Sequence, residues 1–287
     1  MRHAPPVALL LGSTSRDLDL ATPEAPPRPG GSVLYAALAL ARLGVTTRVV
    51  TRVASADADL LLAPLRAAGV SVHALPSTHT TTYANDYRAA VDHHELRAVS
   101  DPLSASDVPT AWRDADVVQL GPLHHDDLRA GIATGVRGFR GLDLQGLVRV
   151  PAGTGAARVA PDLAVQLAGI DVLQASEPDL PIAAGDASPD AFRRRHAVGE
   201  LVLTRGARGA TIHTDTGIVD VPGAPAVERR FPVGAGDVFL AIYLLARRWG
   251  MAVAEAGLIA AGAAAAQVAV GMVPEVLPGL PRWRAPS

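Results

Sequence analysis

The chain contains no cysteine among its 287 residues. That excludes thiol nucleophiles, thiolate zinc sites and disulfides together, and it suits a protein with no need of an oxidising compartment. Lysine is absent as well, so all 26 basic residues are arginine. A P-loop lysine, the phosphate-pairing lysine of protein kinases and Schiff-base chemistry are therefore excluded. Any phosphate handled here must be met by backbone N–H groups, arginine or a metal. Net charge is small too: a formal −2 and a pI near 6.5 give no broad attraction to nucleic acid or to an anionic membrane, and neither is expected as a partner. The apolar run Val7 to Leu11 is too short for a signal core or a membrane span, so a cytoplasmic location is the default expectation.

At this length, and with 49% hydrophobic residues to fill a sizeable core, the chain can form one large α/β domain or two small ones. Its most informative stretch is FPVGAGDVFLAIYLLARRWG, Phe231 to Gly250, where a Gly-Ala-Gly turn runs into a long apolar helix. Gly234 and Gly236 free the backbone to adopt left-handed or close-approach conformations. The N–H groups that open a helix lack intrahelical partners, and the helix dipole adds positive potential, so the turn is a candidate anion cradle. Asp237 then lies where a base can take a proton from an attacking hydroxyl while the turn stabilises a transferring phosphoryl group. The plainer alternative is an ordinary helix with an acidic residue near its N-terminus, and the pattern alone does not separate the two.

In chain order, Val7 to Gly12 reads as a buried strand. The polar, proline-bearing segment Ser13 to Arg28 cannot be helix throughout and is expected outside the core. Gly30-Gly31 opens a helix that Gly44 ends. Strand 46–53, helix 57–68 and strand 70–75 give a βαβ rhythm. Residues 77–99 alternate in polarity like strands exposed on one face, and with 13–30 they predict a small β-lid over a pocket. Strands are expected at 117–120, 141–144, 172–175, 201–204, 210–213 and 217–221. Helices are expected around 126–134, 163–168 and 190–196, then from Gly234 and through 253–270. The predicted fold is α/β, a mostly parallel sheet with helices on both faces, in which ligands meet the carboxyl ends of the strands.

Adjacent residues such as His124-His125-Asp126-Asp127 or His93-His94-Glu95 do not face one point, which argues against metal sites there. His124 follows a strand end and reads better as a substrate contact. Arg193-Arg194-Arg195 is most simply a solvated helix face. Gly153-Thr154-Gly155 lacks the third glycine of a dinucleotide fingerprint.

The order of a Gly-Gly helix, overlying strands, TRGARG and a GAGD helix resembles the ribokinase-like (PfkB) carbohydrate kinases over essentially the whole chain, as a single domain spanning 1–287. LDLQGLVR and LQASEPDL are most similar to the branch containing myo-inositol kinases. The resemblance implies an ATP- and Mg²⁺-dependent kinase acting on a small polyol, with Asp237 as catalytic base and Gly234, Ala235 and Gly236 as anion hole. It implies substrate contacts at Asp17, Gly30, Gly31, Tyr35, Asn85 and Gln145, and a phosphate contact at Arg149. Thr204, Gly206 and Gly209 would border the nucleotide, Glu177 and Asp179 would hold metal, and a homodimer through the lid is among the implied assemblies.

Three departures stand out. Phe231, Pro232 and Val233 replace the acidic and hydroxyl residues that usually precede the turn. Ser176-x-x-Asp179 stands for the usual Asn-x-x-Glu, and Tyr35 for an asparagine. Beside the cyclitol or sugar kinase, a nucleoside kinase and a ligand-binding relative with weakened catalysis therefore remain open.

Overall fold

In the computed structural model, which describes residues 4–86, 93–151, 158–224 and 232–277, the alternating segments assemble into a nine-stranded sheet. Its strands are β1 (Val7–Leu11), β4 (Thr46–Val53), β5 (Ser71–Pro76), β8 (Asp114–Leu120), β9 (Arg137–Asp143), β10 (Val172–Ser176), β11 (Glu200–Thr204), β12 (Ala210–Thr214) and β13 (Gly217–Val221). The order is β13-β12-β11-β10-β9-β8-β1-β4-β5. Every pairing from β5 to β11 is parallel, and only the β11–β12 and β12–β13 pairings are antiparallel, so β12 alone runs against the rest. The parallel strands are apolar on both sides, as a sheet covered on two faces requires.

One face carries α1 (Ser32–Arg42), α2 (Ala58–Ala67), α6 (Ala235–Arg248) and α7 (Val253–Val270) over a core that includes Leu34, Leu40, Leu61, Leu240 and Tyr243. The other face is covered by Leu103, Leu128, Leu144, Leu147 and Phe192, with the short helices α3 (Leu163–Gln166), α4 (Leu180–Ala184) and α5 (Pro189–Arg195) in the chain between β9 and β11. By length and composition α7 could cross a membrane. Here it packs along α6 and against β13, where Gly257 leaves room for Val221. A second, four-stranded sheet of order β3-β2-β6-β7 forms the lid: β2 (Ser15–Asp19), β3 (Arg28–Gly30), β6 (Thr81–Asp86) and β7 (His93–Ala98).

Two expectations need correction. The segment 126–134 is not a helix; it is irregular and closes in a single 3₁₀ turn, Ala133–Gly135. The carboxylate of Asp127, fully buried, is taken up by the Ser13 hydroxyl and by the Leu123 N–H at 2.8 Å, and Gly131 adopts φ +83°. Those bonds tie the chain down before helical turns can form. They also explain why Ser13 and Thr14, expected outside the core, are fully buried: Ser13 Oγ further bonds Ser100 Oγ at 2.7 Å, at the root of the lid. Helix α4, not anticipated, starts with Pro181 in its first turn, where a missing N–H costs nothing.

Helix α6 rests on β9 over Gly141, where an added Cβ would meet Leu244 Cδ1 at 2.6 Å and Leu240 Cδ1 at 3.1 Å. Truncating Leu240, which is fully buried in this contact, should therefore cost about 2–5 kcal/mol. Urea unfolding of Leu240→Ala would show this as a lowered midpoint at an unchanged m-value; a loss well under 1 kcal/mol would mean α6 is not seated on the sheet as described.

Candidate active site

The carboxyl ends of β1, β8, β9 and β10 converge beneath the N-terminus of α6. Gly234 caps that helix in the left-handed conformation, φ 83° and ψ −5°. The glycine is required twice over, because a Cβ there would lie only 2.5 Å from Tyr35 Cδ1. Gly236 faces a different constraint: its Cβ would stand 2.9 Å from Gln174 Nε2 on β10 and 3.9 Å from Asp143 Oδ2 at the end of β9. Side chains from α1 and from the sheet thus leave room for bare backbone only. Of the N–H groups that open α6, that of Ala235 donates to the Pro232 carbonyl at 3.2 Å; its neighbours in the first turn have no acceptor within the helix and give it an electropositive end.

Asp237 sits in the first turn of α6. Burial raises its pKa to about 6, against the opposing pull of Ser32 and of the Arg149 guanidinium. The Ser32 hydroxyl, buried at the start of α1, faces this carboxyl without closing a normal hydrogen bond. Gly121, after β8, is kept small by Ser32, whose Cβ would be 2.5 Å from an added Cβ. Gly31, in turn, caps α1 at φ 99°. Two glycine-capped helix starts therefore meet at one carboxylate.

Asp237 has acidic company. Asp143 is raised to about 7, first by burial and then by the charges of Asp237 and Asp179, against the Gln145 N–H at 2.9 Å and Arg149. Asp17, on the lid, is raised to about 6 by burial, opposed by the Ser15 hydroxyl at 2.6 Å; its carboxyl packs against Gly30. Burial, together with Asp17 and Asp237, pushes the Tyr35 hydroxyl far above its ordinary value, which places Tyr35 between the lid's Asp17 and Asp237. Asp17, Tyr35 and Val233 line a cleft of about 200 Å³ whose other walls include Leu18, Pro29 and Met272.

The remaining expected residues divide. Arg149 is in the site, 5.7 Å over the ring of Tyr83 and close enough to bias Asp237 and Asp143. Asn85 is buried in the lid, but its Oδ1 is engaged by His94 Nδ1 at 2.7 Å, and the parallel register sets it opposite Asp19. Tyr83, not singled out from sequence, is the residue opposite Asp17. Gln145 extends into solvent and contributes its backbone N–H to Asp143 instead of a side chain to the cleft. His124 is buried beside Asp127, 3.8 Å away.

Thr204, Gly206 and Gly209 form the loop after β11. The Thr204 hydroxyl donates to Ala175 O at 3.2 Å, and Gly209 at φ 87° lets the chain pass Gly223. Glu177 pairs with Arg208, and Asp179 accepts from Ser176 Oγ at 2.5 Å, so the two carboxylates serve different partners. Among the described residues no three His, Asp or Glu side chains surround one point. The donor set nevertheless suits Mg²⁺ held by one or two carboxylates plus water and phosphate oxygens: the charges of Asp237 and Asp179 help to raise Asp143, which a dication would relieve. Phe231 lies outside the described residues.

Asp143, Ser32, Gln119 and Gln174 complete the site and were not anticipated. Asp143 alone carried a signal, an acidic residue closing a predicted strand. Gln119 reaches the Asp237 carbonyl with Nε2 at 3.4 Å, and Gln174 Nε2 lies 3.5 Å from Asp143 Oδ2.

The profile of the pfkB family carbohydrate kinases matches residues 11–273. Among solved structures, the chain is similar to a pyrophosphate-dependent kinase in the ribokinase family complexed with a pyrophosphate analog and myo-inositol, with TM-score 0.78, 22% identity, and 91% of this chain and 94% of that one covered. It is similar to a ribokinase II from E. coli in complex with ATP and Mg²⁺, with TM-score 0.71, 19% identity, and 94% and 96% covered. A Burkholderia thailandensis nucleoside kinase in complex with inosine matches with TM-score 0.68, 21% identity, and 91% and 90% covered. With the profile spanning nearly the whole chain over a ribokinase-like fold, this protein belongs to the pfkB family of carbohydrate kinases.

Proposed function

We propose that the protein transfers the terminal phosphoryl group of ATP to a hydroxyl of a small ring polyol, a cyclitol or sugar ahead of a nucleoside. The observation that carries this reading is Asp237, half-buried in the first turn of α6 beside the left-handed Gly234 turn and within the electrostatic reach of Arg149. Asp237 accepts the proton of the acceptor hydroxyl as its oxygen bonds to phosphorus and the bond to the nucleoside diphosphate breaks. The N–H groups of the turn and Arg149 face the charge that accumulates on the transferring group. Mg²⁺, held by Asp179 and Asp143 with Glu177 nearby, would neutralise donor phosphate charge. The loop of Thr204, Gly206 and Gly209 borders the donor, and Asp17 with Tyr35 orients the acceptor ring under the lid, where water that would compete as acceptor is excluded.

The ring polyol is supported by the cleft itself: Asp17 accepts from hydroxyls, while Tyr35, Val233 and Pro29 offer apolar faces to a ring. Inorganic pyrophosphate is kept as a second donor, because the similar kinase with TM-score 0.78 is pyrophosphate-dependent. Self-association through the lid belongs to the same reading, and sedimentation equilibrium distinguishes it from a monomer.

In a donor and acceptor screen, Mg·ATP with myo-inositol and related cyclitols should give higher kcat/KM than with adenosine or cytidine, and Asp17→Ala should erase discrimination against an acceptor lacking one hydroxyl, worth about 1–3 kcal/mol. A clear nucleoside preference would redirect the acceptor assignment.

Replacing Asp237 by Asn should lower kcat by about 10² to 10⁴ while donor KM changes little. In the wild type, kcat/KM should fall as pH drops through about 6, where the base takes up its proton. An Asp237→Asn enzyme near wild-type rate would remove Asp237 from the chemistry.

The raised carboxyls also make a stability prediction. A folded pKa of about 7 for Asp143 means the folded protein holds a proton that the unfolded chain releases near pH 4, so stability is highest below that range and declines as pH rises through about 7. Asp143→Asn should accordingly raise Tm at pH 8 and leave it unchanged at pH 4, in the absence of divalent cations. Equal effects at both pH values would show that Asp143 is ionised throughout.

A further inference from the structure

Helix α7 is built almost wholly from Ala, Val, Gly, Leu and Ile, yet it carries Gln267 at a position with no solvent exposure. Its Nε2 donates to the carbonyl oxygen of Val233 at 2.6 Å, and among the described residues its Oε1 has no hydrogen-bond partner. A buried amide with an unpaired oxygen weakens folding; a leucine of similar size would remove that defect and leave the Val233 carbonyl without this donor, so the exchange is close to even for stability. The one bond Gln267 does make is therefore the place to look for its role.

Val233 immediately precedes Gly234. Because the peptide unit is planar and trans, drawing the Val233 carbonyl toward α7 turns the Gly234 N–H the opposite way, away from α7. On another side the Tyr35 ring lies so close to Gly234 that only a residue without Cβ fits, and Tyr35 is itself buried in the first turns of α1. The turn is thus held by an amide from α7 and a ring from α1, neither of which belongs to its own helix. We propose that Gln267 and Tyr35 are positioning residues that clamp the Gly234 turn, Gln267 by setting the Val233–Gly234 peptide plane and Tyr35 by denying the turn any other conformation. The inference rests on the phosphoryl-transfer reading, since it assigns the clamp's purpose to aiming N–H groups at the transferring group.

A tie that merely supports the fold predicts a different outcome from a clamp, and Gln267→Leu tells them apart. The clamp requires kcat with Mg·ATP and the best cyclitol to fall about 10- to 100-fold, as for other small misplacements of catalytic groups, with acceptor KM nearly unchanged and Tm close to wild type. Tyr35→Leu, which removes the ring that confines Gly234, should lower kcat by about tenfold or more. Gln267→Met provides the same comparison if the leucine variant does not fold. A readout free of turnover comes from glycine-selective ¹⁵N labelling: inorganic pyrophosphate should shift the Gly234 and Gly236 amide signals in wild type and require about tenfold more ligand in Gln267→Leu. If wild type neither turns over nor shifts, the phosphoryl-transfer reading falls and the clamp with it. If wild type does both and Gln267→Leu matches it, or loses Tm while keeping kcat, the clamp alone is overturned.

Discussion

A backbone turn at φ 83° on Gly234 is the constraint from which the site follows. It swings the chain into α6 so that the electropositive helix end and Asp237 arrive at one point, and it leaves no space for a side chain beneath Tyr35. The parallel sheet supplies the floor: β8, β9 and β10 deliver Gln119, Asp143 and Gln174 under the first turn of α6. The second glycine-capped helix, α1, brings Ser32 and Tyr35 to the same place, and Gly31 at φ 99° is what lets it start there.

Three carboxyls gather around that turn, Asp143 buried and Asp17 and Asp237 half-buried, and desolvation is the leading cause of each raised pKa. Such a group of acids is unfavourable while the site is empty of positive charge. Two helix N-termini and Arg149 offset part of this, and a dication with a donor would offset more. On the proposed reading, ligands that combine metal, phosphate and hydroxyl suit such a site better than an isolated anion does. The chain's complete lack of lysine sharpens the point: Arg149, 5.7 Å over the ring of Tyr83, is the cation that links the lid to Asp237.

Much of this was legible in the sequence because glycine at left-handed positions and apolar periodicity leave local marks. The Gly-Gly and Gly-Ala-Gly-Asp helix starts, most strands, α6 and α7 all carry them. What could not be read depended on contacts between distant segments. Asp127 breaks the expected helix at 126–134 because Ser13, far away in sequence, captures its carboxylate. Gln145 and Asp143 lie two residues apart, and only the bend into a 3₁₀ turn after β9 decides that the aspartate enters the site and the glutamine faces solvent. Ser32 gave no sign because a serine after a glycine pair reads as an ordinary helix start. That Tyr83 pairs with Asp17 and Asn85 with Asp19 is set by strand register, which spacing alone leaves undetermined.

Whether phosphoryl transfer takes place at this turn is decided most directly by a crystal structure with Mg·ADP, a cyclitol acceptor and aluminium fluoride as mimic of the transferring group. The planar fluoride should lie about 3 Å from the backbone nitrogens that open α6, with an acceptor hydroxyl about 3 Å from the Asp237 carboxylate. A mimic bound away from the Gly234 turn, or an acceptor whose reacting hydroxyl turns from Asp237 toward another residue, would contradict it.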